Sequence, residues 1–224
     1  RTDKELSVEE MIDYVQLFPE KRTSIQFLGE LGTGSPRAIS FLEHLLESSE
    51  DDATILQVAE SLMKLDNKHQ KAADILLYFL EKEDRWQAEE TLKVIERIDS
   101  ELHILLPGLI ELAKKSSVLV NQVDLQLEPS EEKSIYSNLD NLSKPEKLCG
   151  IAVQCLGSVG ANNTEVTDLL IELLNMCDSE HVKGKVVESL GKVGADNGRV
   201  VGILIEIVKP SGKSTLVRHS AKAL

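Results

Sequence analysis

Apolar residues recur along the chain at the spacing of amphipathic helices. The segment 180–193 carries an apolar stripe at helical spacing, formed by Val182, Val186, Val187, Leu190 and Val193. Such a stripe is typical of a helix that is buried on one side. A second helix is predicted after Asn197, where the apolar positions of GRVVGILIEIVK cluster along one side. The segment therefore predicts two successive helices joined by a short turn.

This helix pair is one copy of a repeat. Leu190 and Leu156 are 34 residues apart, and both lie in the pattern Leu-Gly-x-Val-Gly-Ala-x-Asn. Leu28 and Leu62 are also 34 residues apart, and a degenerate copy follows around Leu92. A period of this length along a whole chain indicates a repeat array. We therefore predict a single array over residues 1–224, with a degenerate unit near 116–145 and a truncated last unit.

Two glycines in each well-preserved copy have an architectural explanation. Gly191 lies inside the first helix, where glycine costs about 1 kcal/mol relative to alanine. We expect a neighbouring helix to pack against its bare backbone. Gly194 follows the last apolar position, where helices commonly end in a left-handed residue. The equivalent pairs are Gly29 with Gly32 and Gly157 with Gly160.

Several polar residues and prolines mark helix boundaries. Ser7 and Glu10 have the spacing of a capping box. Ser35 is predicted to cap a helix whose first residue is Pro36, and Asp178 or Ser179 is predicted to cap the helix of the 180s. Pro107 is expected to kink its helix or to delay its start.

The region from Ser116 to Pro145 departs from the repeat. It contains two prolines and weak periodicity, and it predicts a distorted unit with a longer loop around 128–133. Inserted loops in repeat arrays often mark binding faces, but sequence drift would give the same pattern. Both interpretations stay open.

Composition agrees with a folded helical array. The chain has 224 residues, of which 42% are hydrophobic and only 4% aromatic. No uncharged apolar run approaches the roughly 18 residues that a membrane span needs. The three cysteines have no metal-binding spacing, which fits buried thiols in a reducing cytoplasm. The chain starts without Met and stops within a repeat, so we expect a piece of a longer protein.

The charge balance favours a basic partner. The formal net charge is −13, and residues 1–114 account for most of the excess acid. An acidic surface repels the phosphate backbone and attracts basic groups. We therefore expect a protein partner and no nucleic acid. Solubility alone would also explain the acid.

Catalytic patterns are weak throughout. The KPSGKST segment from Lys209 to Thr215 ends like a phosphate-binding loop, but Ile207 occupies the position of the required first glycine. The five histidines are dispersed, and no nucleophile is paired with a base. We predict a chain that is not an enzyme and holds no cofactor or metal.

The repeated residues resemble the HEAT-like repeats of the phycobilisome-lyase type. GTGSPRAISFL, from Gly32 to Leu42, matches the second half of that unit, and a basic residue stands seven positions before three of the repeated leucines. These basic residues are Lys21, Arg85 and Lys183; Ile55, Cys149 and Val217 depart from the pattern. The resemblance implies an all-α, right-handed α-solenoid of about six helix pairs.

The resemblance also suggests functions. Similar arrays in bacterial, particularly cyanobacterial, proteins lie beside NACHT-type signalling NTPase domains, which implies a protein-interaction scaffold or sensor. The family name implies an alternative, an accessory role in attaching bilin chromophores. Repeat sequence alone decides neither, because many unrelated proteins use it.

The candidate binding surface is an acidic face of the second helices. In a solenoid we expect the second helices to line the inner side, with Glu43, Glu47 and Glu81 nearby. The candidate partner-binding residues are Asp74, Tyr78, Asp168, Glu172 and Glu206. A solvated face without a ligand would show the same pattern.

Overall fold

The computed structural model describes residues 7–18, 21–82, 85–98, 102–124, 142–194, 197–209 and 215–223. Within these ranges the chain forms helices and no strand, so the all-α prediction is confirmed. The helices are α1 (Val8–Leu17), α2 (Arg22–Leu31), α3 (Pro36–Ser48), α4 (Asp52–Leu65), α5 (Gln70–Glu81), α6 (Arg85–Arg97), α7 (Leu106–Asp124), α8 (Lys144–Val159), α9 (Thr164–Met176), α10 (Glu180–Val193), α11 (Gly198–Val208) and α12 (Thr215–Ala223).

The helices belong to two compact units. Unit 1 comprises Arg1–Phe79 with Lys93–Ile104, and unit 2 comprises Leu80–Leu92 with Leu105–Leu224. In unit 1, α2 packs against α1 and α4, and α3 packs against α4. In unit 2, α7 packs against α8, α8 against α10, and α10 against α12. Helices α9 and α11 each pack against α10.

The helix starts follow the predicted caps. The Ser7 and Glu10 capping box is present, and Ser35 Oγ accepts a hydrogen bond from the Ala38 N–H with Pro36 as the first helical residue. Ser179, rather than Asp178, caps α10. Pro107 is the second residue of α7, which agrees with a delayed start of that helix.

The degenerate region is described at both of its ends, where residues 142–145 include the Ser143 cap and the first two residues of α8. Residues 116–124 continue α7, a 19-residue helix. The loop predicted around 128–133 lies outside the described residues.

The repeat pairs are joined by one type of turn. The N–H of the capping residue donates to the carbonyl three residues earlier, from Ser35 to Gly32 at 2.9 Å and from Asn163 to Gly160 at 3.0 Å. Asn197 and His69 make the same bond to Gly194 and Asp66. The same turn therefore recurs at four junctions between a first and a second helix.

The prediction of a left-handed residue at Gly194 is wrong. Gly194 has a φ of −126°, and Gly32 and Gly160 have φ values of −80° and −97°. A Cβ on Gly194 would lie 2.6 Å from the Val200 side chain. These positions therefore lack a side chain because the following helix packs closely, and not because φ is positive.

The packing prediction for the internal glycines is confirmed. A Cβ on Gly29 would lie 2.7 Å from Ser61 Cβ, and one on Gly157 would lie 2.7 Å from Ser189 Cβ. A Cβ on Gly191 would lie 2.7 Å from Ala223 Cβ. We call these three contacts the seams. Each joins a glycine to a small residue 32 positions later, one repeat along the chain.

Two seams carry the same additional hydrogen bond. Ser61 Oγ donates to the Ile25 carbonyl at 2.9 Å, and Ser189 Oγ donates to the Val153 carbonyl at 2.9 Å. Each carbonyl lies four residues before the seam glycine. The buried hydroxyl therefore gains a partner on the neighbouring helix, which offsets the cost of removing it from water.

Candidate functional site

All five candidate partner-binding residues are exposed. Asp74 and Tyr78 lie one turn apart on α5 in unit 1. Asp168 and Glu172 lie one turn apart on α9, and Glu206 lies on α11, both in unit 2. The expectation that each of these side chains reaches solvent is confirmed.

The unit 1 residues occupy a surface of mixed charge. Asp74 Oδ1 accepts a hydrogen bond of 2.8 Å from Gln70 Nε2, and the Tyr78 side chain is 59% exposed. Nearby in sequence, Lys71 pairs with Glu47 on α3 at 2.8 Å. The hydrogen bond and charge of Lys71 lower the pKa of the Glu47 carboxyl. One acid of the predicted inner face is therefore already paired.

His69 holds Glu43, another acid near the candidate residues. The Ala72 N–H donates to His69 Nδ1 at 3.2 Å, so this nitrogen is the acceptor that caps the start of α5. The other ring nitrogen, Nε2, therefore carries the hydrogen and donates to Glu43 Oε1 at 3.1 Å. His69 occupies the same turn position as Ser35, Asn163 and Asn197, and this register was the signal that could have identified it as a cap.

In unit 2 the acidic surface contains a guanidinium group. Arg199 Nη1 on α11 pairs with Asp168 Oδ1 on α9 at 2.5 Å, and both side chains are more than half exposed. Glu206 follows Arg199 by seven residues and so lies on the same side of α11. Arg199 was missed from the sequence, because nothing marks its partner 31 residues earlier.

A shallow cleft adjoins the acidic side of α9. It has a volume of about 400 Å³ and its lining includes Glu165, Asp168 and Glu172, together with Lys114 of α7. Structure therefore brings Asp168 and Glu172 to one depression in unit 2. Their carboxylates can accept hydrogen bonds from a cationic group on a partner.

The most buried carboxylate of the described chain lies elsewhere, in unit 1. Glu60 on α4 is 1% exposed; its Oε2 accepts a hydrogen bond from Arg97 Nη2 at 2.8 Å, and its Oε1 lies 3.1 Å from Lys64 Nζ. A buried charge is tolerated only when it is paired in this way. These three residues hold helices together and do not form an open site.

Glu188 of unit 2 stands at the repeat position of Glu60. It pairs with His219 of α12 at 2.8 Å and with Lys185 at 3.5 Å, and its side chain is 28% exposed. Burial alone would raise the pKa of the Glu188 carboxyl, but Lys185 and His219 lower it below its ordinary value. The pair anchors α12 to α10.

The cysteines are structural. Cys149, Cys155 and Cys177 are all buried free thiols, as predicted. Burial raises the pKa of the Cys149 thiol to about 12 and raises the pKa of Cys177 as well. At neutral pH both remain thiols, and a protonated thiol is a poor nucleophile.

The described residues form neither a metal cluster nor a membrane-spanning helix. They contain no group of three or more His, Cys, Asp or Glu side chains placed to hold a metal ion. Within the same part of the chain, no helix is both long enough and apolar enough to cross a membrane.

Comparison with known proteins gives no relative. The chain matches no family model, no curated protein and no solved structure.

Proposed function

We propose that this chain is a protein-interaction scaffold or sensor module whose exposed acidic second helices recruit a basic partner. The single observation that carries the proposal is the exposure of all five candidate residues beside helices joined by repeated seams. The seams join first helices of successive units, and α9 and α11 each pack against α10, so the exposed side chains of α9 and α11 are presented on a packed support. A preorganised surface loses less conformational entropy on binding.

The architecture we infer is a right-handed α-solenoid of HEAT-like units. Its support comes from the repeated seam and turn geometry and from the resemblance of the repeat sequence. Arrays of this kind commonly present an extended surface for binding. A catalytic or chromophore-attaching role would favour a deep pocket with converging polar groups, whereas the cleft beside α9 is shallow.

The partner chemistry follows from the charges on α9 and α11. Asp168 and Glu172 present carboxylates to the cleft, while Arg199 pairs with Asp168. A partner lysine or arginine that approaches Asp168 must compete with Arg199, whereas Glu172 has no such neighbour among the described ion pairs. We therefore expect Glu172 to contribute more to recognition than Asp168.

A capture experiment tests this proposal. The native chain and the Asp168→Lys, Glu172→Lys, Glu206→Lys triple variant are immobilised, and bound proteins from a lysate are identified by mass spectrometry. We expect a specific partner with a basic surface to bind the native chain and to be lost on the triple variant. Charge reversal at exposed positions costs little folding stability.

A matched control separates the site from total charge. Asp13, Glu50 and Glu111 are exposed acids outside the candidate face, so changing all three to lysine alters the net charge by the same amount. The control variant should retain the partner. If the two variants lose or retain the same proteins, the acidic second helices are not the recognition surface.

A further inference from the structure

Helix α11 is apolar on most of its surface but buries little of it. Its sequence, GRVVGILIEIV, contains one arginine, one glutamate and two glycines, and otherwise only apolar residues. Val200 and Leu204 are its buried residues, whereas Val201 and Ile203 are half-buried and Ile205 is 40% exposed. Helix α9, which holds the same place in the preceding repeat, buries six residues. The packing of unit 2 therefore leaves an apolar side of α11 accessible.

Gly202 lies in the middle of this accessible side. A glycine inside an exposed stretch of helix costs about 1 kcal/mol relative to alanine. Among the described residues, no atom lies within 4 Å of the place that a Gly202 Cβ would take, whereas Gly29, Gly157 and Gly191 each face a small residue of a neighbouring helix. Contacts within unit 2 thus give no reason for a glycine here, but a second helix that packed closely against α11 from outside would.

The two charged side chains of α11 are exposed and stand symmetrically about the middle of the helix. Arg199 is its second residue and Glu206 is the third from its end. Seven residues make about two turns, so both lie on one flank of Gly202, while Val201 and Ile205 lie on the other. Arg199 Nη1 holds a carboxylate of α9, and its Nε and Nη2 can still donate to a second carboxylate. Glu206 makes no hydrogen bond or ion pair with the described residues.

We propose that two copies of this chain associate through α11, paired antiparallel about a two-fold axis that passes beside Gly202. In this arrangement Arg199 of each copy faces Glu206 of the other, and Val201 of each copy faces Ile205 of the other. A two-fold interface repeats every such contact, so two ion pairs and two apolar contacts form together. A parallel pair would instead place like charges opposite each other, which is unfavourable.

The charges of α11 favour a second copy over a basic protein as the occupant of this side. A basic partner would meet Arg199 and, one residue beyond the helix, the exposed Lys209. A second α11 offers each charged side chain an opposite charge. Helix α11 is also neutral as a whole, so the two helices do not repel each other although the chain has a net charge of −13.

The pairing uses no acid of α9 and does not depend on the scaffold function. A dimer would carry two copies of the acidic surface of α9. A partner with two basic sites would then bind it more tightly than it binds one copy, because the second contact forms within a complex that already exists.

Sedimentation equilibrium of the full chain tests the self-association directly. Helix α11 is about 16 Å long, so the contact is smaller than the roughly 800 Å² per partner of a standard interface. We therefore expect a monomer–dimer equilibrium with a Kd on the order of 100 μM. The apparent mass should rise from 24.8 kDa towards twice that value, and no further, as the concentration increases through the Kd.

Charge-swap variants identify the helix and its direction. Glu206→Arg and Arg199→Glu each create two like-charge contacts in the antiparallel pair, and we expect each to weaken dimerisation by about tenfold or more. The double variant Arg199→Glu, Glu206→Arg restores both ion pairs and has the net charge of the native chain, so its Kd should return to within about threefold of the native value. Because Glu206→Arg makes the chain less acidic, total charge alone would strengthen its dimer.

Glu111→Arg is the matched control, since Glu111 is an exposed acid of α7 in the same unit. This variant should dimerise at least as well as the native chain. All the variants are compared at equal helical circular dichroism, because charge changes at exposed positions cost little folding stability.

Several results would overturn the proposal. One is a native chain that stays monomeric up to about tenfold above the expected Kd. Others are a double variant that associates no better than either single variant, or a Glu111→Arg chain that is weakened as much as Glu206→Arg. Association that continues beyond the dimer would also contradict it, because a two-fold pair is closed.

Discussion

The seam between α2 and α4 and the seam between α10 and α12 use the same repeat positions but are completed differently. In the first, Gly29 faces Ser61, whose hydroxyl donates to the Ile25 carbonyl. In the second, Gly191 faces Ala223, which has no hydroxyl to donate. The close backbone approach is common to both, so the glycine contact is the constant feature of the repeat and the hydrogen bond is an addition to it.

The ion pairs beside these two seams also differ, because the carboxylate beside the α10–α12 seam is more exposed than the one beside the α2–α4 seam. Glu60 is almost fully buried and is paired with Arg97, which is charged at every accessible pH. Glu188 is partly exposed and is paired with His219, which is charged only when protonated. We therefore expect α12 to separate from α10 at a lower free energy than α4 separates from α2. Local opening of this kind is common at the less densely packed parts of a protein.

The largest expected effect comes from filling a seam. Gly29→Leu should destabilise unit 1 by about 3 kcal/mol, because its Cβ would lie 2.8 Å from the Ser61 backbone and overpacking costs more than the helix propensity of leucine gains. Gly191→Leu should instead free α12 and leave the remaining helices folded. Urea unfolding combined with amide exchange distinguishes the two outcomes, and a raised unfolding midpoint for either variant would contradict the packing explanation.

The next effect comes from the buried carboxylate. Glu60→Gln removes the negative charge that faces Arg97 and Lys64, and we expect it to cost about 2 kcal/mol, less than for a fully buried pair because Arg97 is half exposed. Glu188→Gln should cost about 1 kcal/mol or less, since its partners are more accessible to water. Equal losses of unfolding free energy in the two variants would show that burial of the carboxylate is not the deciding factor.

The seam hydrogen bond is expected to contribute less to the free energy of unfolding than the Glu60 carboxylate. Ser61→Ala should cost about 1 kcal/mol. Ala223→Ser places a hydroxyl at the equivalent position of the last seam, and Ala221→Ser is its control on an exposed face of the same helix. The first serine should be more stabilising than the second by about 1 kcal/mol, as measured by amide exchange of α12. Indistinguishable serine variants would mean that the third seam cannot accept the bond.

The smallest effect is a dependence of α12 on pH. The pKa of Glu188 is lowered in the folded chain, so its stabilising contribution is present above its ordinary pKa of 4.5 and is lost as the pH falls through the folded value. Amide protection in α12 should therefore decline below pH 4.5 more steeply in the native chain than in Glu188→Gln. If amide protection falls in parallel in the two proteins, the ionised Glu188 carboxylate does not stabilise the docking of α12 on α10.

Sequence patterns predicted much of this fold because each position of the repeat can be compared with the same position in several other copies. The stripe of Val182, Val186 and Leu190 is buried as expected, and the packing role of Gly191 follows from its recurrence. The conformation of Gly194 was not predictable in this way, because a helix-ending glycine can avoid a side chain for either a positive φ or a close neighbour. Only the position of Val200 decides between them.

The charged contacts were harder to predict from the sequence. Glu60 and Arg97 are 37 residues apart, and Asp168 and Arg199 are 31 apart, so neither spacing matches the repeat of 34. Their pairing depends on which way long side chains extend between neighbouring helices. The exposure of Asp168, Glu172 and Glu206 was predictable, because helical periodicity fixes which side of α9 and α11 faces the core.

The most direct test of the central claim is the association rate of the captured partner with the native chain and with the Asp168→Lys, Glu172→Lys, Glu206→Lys variant at several ionic strengths. Salt shortens the range of attraction between exposed charges, from about 10 Å at 0.1 M to about 3 Å at 1 M. Complementary charge mainly accelerates encounter. For two proteins of equal helical circular dichroism, we predict an association rate that falls with salt for the native chain, and a slower rate that rises with salt for the variant. Equal rates at every ionic strength would contradict recognition through the acidic second helices.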